Sequence, residues 1–291
     1  MNGYGLSNRF RPDWKPFVRA WRIQIVADLF FGGIDVGSLS TEAVIINSEE
    51  QVLAEVVLIT GVNGSEAAQK ALNQALELAE LAQSQIAALT STGYGRASVP
   101  FATGKTTEIS CHGVGAHHLF PSTGTVIDVG GQDSKVIQID DRGHMLDFSM
   151  NDKCAAGTGR FLEVMADRLE LELDELSNPA YITGPSTPIS STCTVFAESE
   201  VISLLAKDTP REQIVNGLQR SIVNRIWSMV VSIGIHGEVT ITGGVAKNQG
   251  LIKVLEEKLG QKLNVPKNPQ TVGALGAALI AKRHHSDSTS T

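Results

Sequence analysis

The tripeptide Asp-Val-Gly occurs twice, at 35–37 and at 128–130. Each copy closes a short apolar run and opens a set of alternating segments. A chain that repeats this figure is expected to fold as two similarly built halves. In each copy a strand ends in a carboxylate, and the glycine after it lets the backbone approach an anion closely. Gly37-Ser38 and Gly130-Gly131 can offer N–H groups to phosphate oxygens. Asp35 and Asp128 are then placed to hold a hydrated Mg²⁺ between them. Either turn alone reads as an ordinary strand-to-turn corner; their repetition in matched contexts favours nucleotide binding.

The remaining pattern fits an α/β chain. Strands are expected at 41–47, 51–60, 86–91, 125–129, 134–140, 145–150 and 239–244. Helices are expected at 66–82, 159–169, 195–206, 210–231, 251–259 and 272–282. The stretch TITGGVAKN at 240–248 is a strand followed by a glycine pair. Gly243 and Gly244 provide a wall without side chains against which a flat adenine can lie, and Asn248 closes the motif. Neither GxxxxGK[ST] nor a proper GxGxxG occurs, so the phosphate binder is neither a P-loop nor a Rossmann turn. The expected organisation is an N-terminal extension over 1–31, a first half over 32–120, a second half over 121–282 and a disordered polar tail over 283–291.

Composition narrows the function classes. With 24 Lys and Arg against 31 Asp and Glu, the net charge is −7, which argues against bulk binding to nucleic acid or to an anionic membrane. No apolar run reaches the ~18 residues of a membrane span. The basic start before an apolar run at 23–31 resembles a signal peptide only faintly, because Asp28 interrupts the run and no small-residue cleavage site follows. A cytoplasmic, reducing location is expected.

Three cysteines are too few for a disulfide framework, and none forms CxxC. Cys111 sits beside His112 in a Gly-rich stretch and reads as a packed thiol next to a structural histidine. Cys154 and Cys193 each precede an amphipathic run, so both fall at helix N-termini, where the dipole favours thiolate. Their separation of 193 − 154 = 39 residues favours two small core residues. Two thiolates cannot complete a four-cysteine cluster, although a symmetric dimer supplying two per chain could.

At these residues the sequence resembles the ATP-dependent activators of 2-hydroxyacyl-CoA dehydratases, which group with the ATPase subunits of benzoyl-CoA reductase. The stretches that carry the likeness are GIDVGS, STGYGR, EISCHGVGA, VIDVGGQDSKVI, MNDKCAAGTGRFLEVMA, ISSTCTVFAESEVISLLAK, TGGVAKN and GALGAAL, spanning roughly 32–282. The resemblance implies two duplicated ribonuclease-H-like halves around an ATP cleft, the actin/hexokinase/Hsp70-like fold. It implies a homodimer with one shared [4Fe-4S] cluster on Cys154 and Cys193 of both subunits. Asp35 and Asp128 map to the Mg²⁺-linked carboxylates, and Gly243 and Gly244 to the adenosine motif. Gln132 follows the second loop, where it can position the attacking water. The implied partners are a 2-hydroxyacyl-CoA dehydratase and a reduced ferredoxin or flavodoxin, and the implied activity is ATP-driven one-electron transfer.

One departure stands out. The family's first loop continues with threonines and a lysine, whereas this chain reads Ser38-Leu39-Ser40-Thr41-Glu42. Leu39 removes a hydroxyl, and Glu42 puts an anion where a cation is usual. A carboxylate beside a triphosphate weakens binding unless it points away. Two other readings share the same loops: a small-molecule kinase, and a nucleotide-sensing regulator without turnover.

Overall fold

The computed structural model describes residues 19–20, 29–190 and 193–289. Among them the chain runs β1 (Arg19–Ala20), β2 (Phe30–Val36), β3 (Ser40–Ile46), β4 (Val52–Ile59), α1 (Gly64–Ala79), β5 (Ile86–Thr92), β6 (Gly104–Lys105) and α2 (Glu108–Leu119). It continues through β7 (Thr123–Val129), β8 (Ser134–Ile139), β9 (Met145–Asn151), α3 (Gly159–Leu169), α4 (Thr194–Leu205), α5 (Arg211–Ile233), β10 (Glu238–Thr242), α6 (Gln249–Leu259), β11 (Leu263–Asn264) and α7 (Val272–Thr289).

The strands that end in the two Asp-Val dipeptides, β2 and β7, are buried at every position. A strand without polar alternation is covered on both faces, and each of these lies at the middle of a sheet. The sheet orders are β1-β4-β3-β2-β5-β6 and β11-β10-β7-β8-β9. In both, the central strand pairs antiparallel with the next strand in sequence and parallel with the strand that follows a helical crossover. With β1 set aside, the two orders are the same figure.

Period-two alternation decides which helix covers which face. Ile34, Val36, Ala43 and Ile45 meet Ala68, Ala71, Leu72 and Ala75 of α1. That helix puts its small residues on one stripe, and the Asn63 side chain caps it by accepting the Glu66 N–H. Phe31, Val44 and Ile46 on the opposite face meet Ala274, Ala277, Ala278 and Ala281 of α7. In the second sheet, Ile127, Val129, Val136 and Ile241 pack with Phe161, Met165, Ile226 and Leu251. Val126, Ile137 and Ile139 pack with Ala116 of α2 and Val272.

The helices between the sheets are therefore exchanged. The early helix α2 covers the second sheet, and the last helix α7 covers the first. They cross in contact, and glycine makes the crossing fit. A Cβ on Gly115 would lie 2.3 Å from the Val272 carbonyl oxygen, and one on Gly276 would lie 1.9 Å from that of Cys111. This explains why 108–119 does not read as a helix: its glycines serve a contact made about 160 residues later.

Three boundaries differ from expectation. Phe30 and Phe31, assigned to the extension, begin β2, because both are buried in the sheet core. Arg19–Ala20 adds a short antiparallel strand to β4, while the apolar approach at 23–28 lies outside the described residues, as do 1–18. Residues 283–289, expected as a disordered tail, continue α7. The His285 ring lies 5.7 Å from that of Phe31, and Lys282 reaches Glu50 at 2.9 Å, which holds the last turns down.

Candidate nucleotide site

The two loops are shaped alike. Gly37 N–H donates to the Ser40 carbonyl at 2.9 Å, and Gly130 N–H donates to that of Asp133 at 3.0 Å. Behind each aspartate stands a glycine in the left-handed region, Gly93 at φ +84° and Gly243 at φ +85°. A Cβ there would lie 2.3 Å from Asp35 Oδ1 or 2.9 Å from Asp128 Oδ1. Thr60 Oγ1 donates to the Gly37 carbonyl at 2.8 Å and braces the first loop. The loops face one another, since a Cβ on Gly131 would come within 2.5 Å of Leu39 Cδ1. Leu39 thus exchanges the usual hydroxyl for an apolar contact across the cleft.

Asp35 and Asp128 are both buried and are joined through His112. The ring's Nε2 lies 3.9 Å from Asp35 Oδ2, and its Nδ1 lies 3.5 Å from Asp128 Oδ1. Thr242 Oγ1 donates to Asp128 Oδ1 at 2.9 Å. Lys135, 1% exposed, binds Asp128 at 3.3 Å, Glu108 at 3.1 Å and Asp133 at 2.8 Å. It ties the second loop to the start of α2.

The two carboxylates feel opposite fields. Burial pushes Asp35 up to about 6, only partly opposed by His112, with Glu108 and Asp128 adding to the rise. Burial also pushes Asp128 up, but His112, Lys135 and the Thr242 hydrogen bond outweigh it and leave the group below the ordinary carboxylate value. Lys135 loses some basicity to burial, yet its three carboxylates hold it above the usual lysine value. Glu42 is 4% exposed and stands opposite Asp35 in the register. Burial, reinforced by Asp35, raises it well above the ordinary value, with Lys247 opposing. Burial therefore shifts Glu42 toward its neutral form, against the anion expected from the sequence.

Of the other expected site residues, Ser38 and Gln132 are exposed at the loop tips. Gly243 is buried and Gly244 partly so, under Gln270. Asn248 is spent on structure: its Oδ1 accepts the Leu251 N–H at 2.8 Å, capping α6, and accepts from Gln219 at 3.2 Å. Sequence reasoning set His112 aside as structural and did not single out Lys135. The signal for Lys135 was its spacing, 135 − 128 = 7, which matches 42 − 35 = 7 in the first half.

Cys154 and Cys193 are half-buried, one ahead of α3 and the other at the start of α4. Cys193 is the N-cap of α4. Cys154 lies on the turn before α3, where its carbonyl accepts from Asn151 at 2.8 Å. The second loop reaches this region directly. Gly159 N–H donates to the Gly130 carbonyl at 2.9 Å, and Arg160 N–H donates to that of Gly131 at 2.8 Å. Cys111 is fully buried on α2, and burial pushes its thiol far up, so it is inert.

Two ribonuclease-H-like sheets, each presenting an aspartate loop to a shared cleft, define an actin/hexokinase/Hsp70-like ATPase fold, which solved ROK-family kinases share at 12–16% identity. Residues 33–281 match the BadF/BadG/BcrA/BcrD ATPase family, and the chain belongs to it. It is 47% identical to the activator of lactoyl-CoA dehydratase from Anaerotignum propionicum, over 86% of this chain and 96% of that one. The solved activator of 2-hydroxyisocaproyl-CoA dehydratase from Clostridium difficile, with bound ADPNP, superposes with a TM-score of 0.84 at 40% identity, covering 90% and 97% of the two chains. A benzoyl-CoA reductase component from Thauera aromatica is 31% identical over 87% of this chain and 93% of its own. Among the described residues no helix is long and apolar enough to cross a membrane.

Proposed function

We propose that this chain is an ATP-hydrolysing activator that passes single electrons to a 2-hydroxyacyl-CoA dehydratase. It works as a two-fold dimer in the cytoplasm, loaded by a reduced ferredoxin or flavodoxin. Cys154 and Cys193 of both copies hold one [4Fe-4S] cluster, and Asp35 and Asp128 serve Mg²⁺ and the phosphates. The higher identity to a dehydratase activator than to the reductase component favours the dehydratase as partner.

The residues suit both groups. Among the described residues no set of three or more His, Cys, Asp or Glu could hold a metal within one chain, and two cysteines per chain across a dyad supply four. Cys193 stands at the N-cap of α4, where the first backbone N–H groups lack intrahelical partners. The adjacent Thr194 hydroxyl is buried with no hydrogen-bond partner among the described residues, so its donor is available to sulfur. Val195 and Phe196, 64% and 63% exposed, offer an apolar surface beside Cys193 for a second copy. Two buried carboxylates facing a phosphate loop match the ligand habit of Mg²⁺, which takes one or two carboxylates and fills its shell with phosphate oxygens and water. When bound, the cluster supplies a low-potential one-electron carrier.

The observation that carries this reading is the pair of hydrogen bonds from Gly159 and Arg160 to Gly130 and Gly131. Through them the second phosphate loop and the helix after Cys154 move together. A loop that changes its grip as ATP becomes ADP tilts α3 and the cysteine segment with it. Gln132 at the loop tip orients the attacking water. Such a stroke is needed because one electron moved against a few tenths of a volt costs several kcal/mol.

The test is anaerobic purification followed by iron and acid-labile sulfide analysis per dimer. Cys193→Ala is expected to lose the cluster and weaken dimerisation while holding an ATP analogue with unchanged affinity. Iron-free wild-type protein overturns the reading. Loss of nucleotide binding in Cys193→Ala overturns the separation of the two sites.

A further inference from the structure

The residue that touches both halves of the site is one the motif reading left aside. His112 sits in the second turn of α2, 5% exposed, between carboxylates that belong to different sheets. Its Nδ1 is 3.0 Å from Thr242 Oγ1, and that hydroxyl already donates to Asp128 Oδ1. A hydroxyl has one hydrogen, so Thr242 must accept from the ring. The network therefore puts a hydrogen on Nδ1, while Nε2 faces Asp35.

The ring also has little freedom to leave this pose. A Cβ on Gly273, in the first turn of α7, would lie 3.0 Å from Nε2 and 2.1 Å from Asp35 Oδ2. The first turn of α7 thus closes on the imidazole that α2 carries and on the Asp35 carboxylate.

We propose that His112 is a positioning residue for ATP hydrolysis. Its Nδ1–H orients the Thr242 hydroxyl, and Thr242 orients Asp128, so that the second-loop carboxylate is aimed before nucleotide arrives. The same ring spaces Asp128 from Asp35 across the two sheets. This rests on the reading of both aspartates as the carboxylates of the nucleotide site, and it does not depend on the cluster or on the dehydratase.

The two nitrogens make distinguishable predictions. An asparagine amide reproduces the Nδ1 donor, whereas a glutamine amide reaches toward the Nε2 position. Steady-state phosphate release by the purified full-length protein is measured with Mg²⁺ and ATP, alongside thermal midpoints and the affinity for an ATP analogue. His112→Ala is expected to lower kcat by about 10- to 100-fold, the usual cost of removing such an outer partner, with little change in KM. His112→Asn is expected to recover most of kcat, and His112→Gln is not. Thr242→Val is expected to match His112→Ala, and the double variant to be no worse than either single one.

If His112→Ala fails to fold, the Asn and Gln variants carry the test alone. Equal behaviour of Asn and Gln overturns the proposal, as does additivity of the Thr242 and His112 losses, because a ring that only fills space predicts both. A wild type that binds nucleotide without hydrolysing it also overturns it. A wild type that hydrolyses ATP but carries no iron overturns the activator reading and leaves this one intact.

Discussion

Seven residues after Asp35 stands Glu42, and seven after Asp128 stands Lys135, each the register partner of its aspartate in the neighbouring strand. The backbones of the two halves match at this point down to the closing hydrogen bond of the loop and the left-handed glycine behind it. The register partners differ in charge, and the two aspartates differ in their electrostatics. Burial raises Asp128, but His112, Lys135 and the Thr242 hydrogen bond outweigh it and hold the group below the ordinary carboxylate value, whereas burial, with Glu108 and Asp128 adding to the rise, pushes Asp35 up to about 6. Two backbone sockets of the same shape thus lower one carboxyl and raise the other.

The largest test of this contrast is Lys135→Ala. It leaves Asp128, Glu108 and Asp133 around a buried gap without their shared cation. A loss of about 3–5 kcal/mol is expected, as for one partner removed from a buried ion cluster. Urea unfolding measures it, and a loss below ~1 kcal/mol would break the idea that the second socket is held by charge.

Next in size is the pair Asp35→Asn and Asp128→Asn, compared in Mg²⁺-free protein. The carboxyl of Asp35 titrates near 6 when folded, against an ordinary 3.8. Its raised value means that the stability it lends is present below the ordinary pKa and lost as pH rises through about 6. At 1.36 kcal/mol per pH unit, Asp35→Asn is expected to gain up to ~3 kcal/mol at pH 8 and almost nothing at pH 4. Asp128→Asn is expected to lose stability at pH 8. Thermal unfolding at the two pH values checks both signs; equal signs would mean that the halves do not differ as described.

The smallest effect is expected for Glu42→Gln. Because burial already favours the neutral acid, kcat for ATP hydrolysis should stay within about twofold of wild type, less than ~0.5 kcal/mol in the barrier. A tenfold gain would show that Glu42 acts as an anion toward the triphosphate.

The same contrast separates what the sequence discloses from what it conceals. The strand figures, α1 and α3 follow from local periodicity, and the Asp-Val-Gly repeat discloses the two sheets. The helix α2 is concealed because Gly113 and Gly115 erase its amphipathic stripe in favour of close contacts with Gly143 and α7. His112 then has no local signal: its partners lie on β2, β7 and β10, and only the crossing of α2 brings them to one ring. Glu42 is legible as a departure in charge, but its neutralisation depends on burial, which a motif does not carry. Asn248 sits in a recognisable motif and yet turns its side chain to a helix cap.

The exchange of α2 and α7 also bears on how the protein is made. When the first sheet leaves the ribosome, the apolar face of Phe31, Val44 and Ile46 has no cover, because Ala274 follows Ile46 by 274 − 46 = 228 residues. The early half must wait, exposed, for the second half to follow. A chain truncated just short of α7 would bare that face permanently, so α7 acts as a seal on the first sheet.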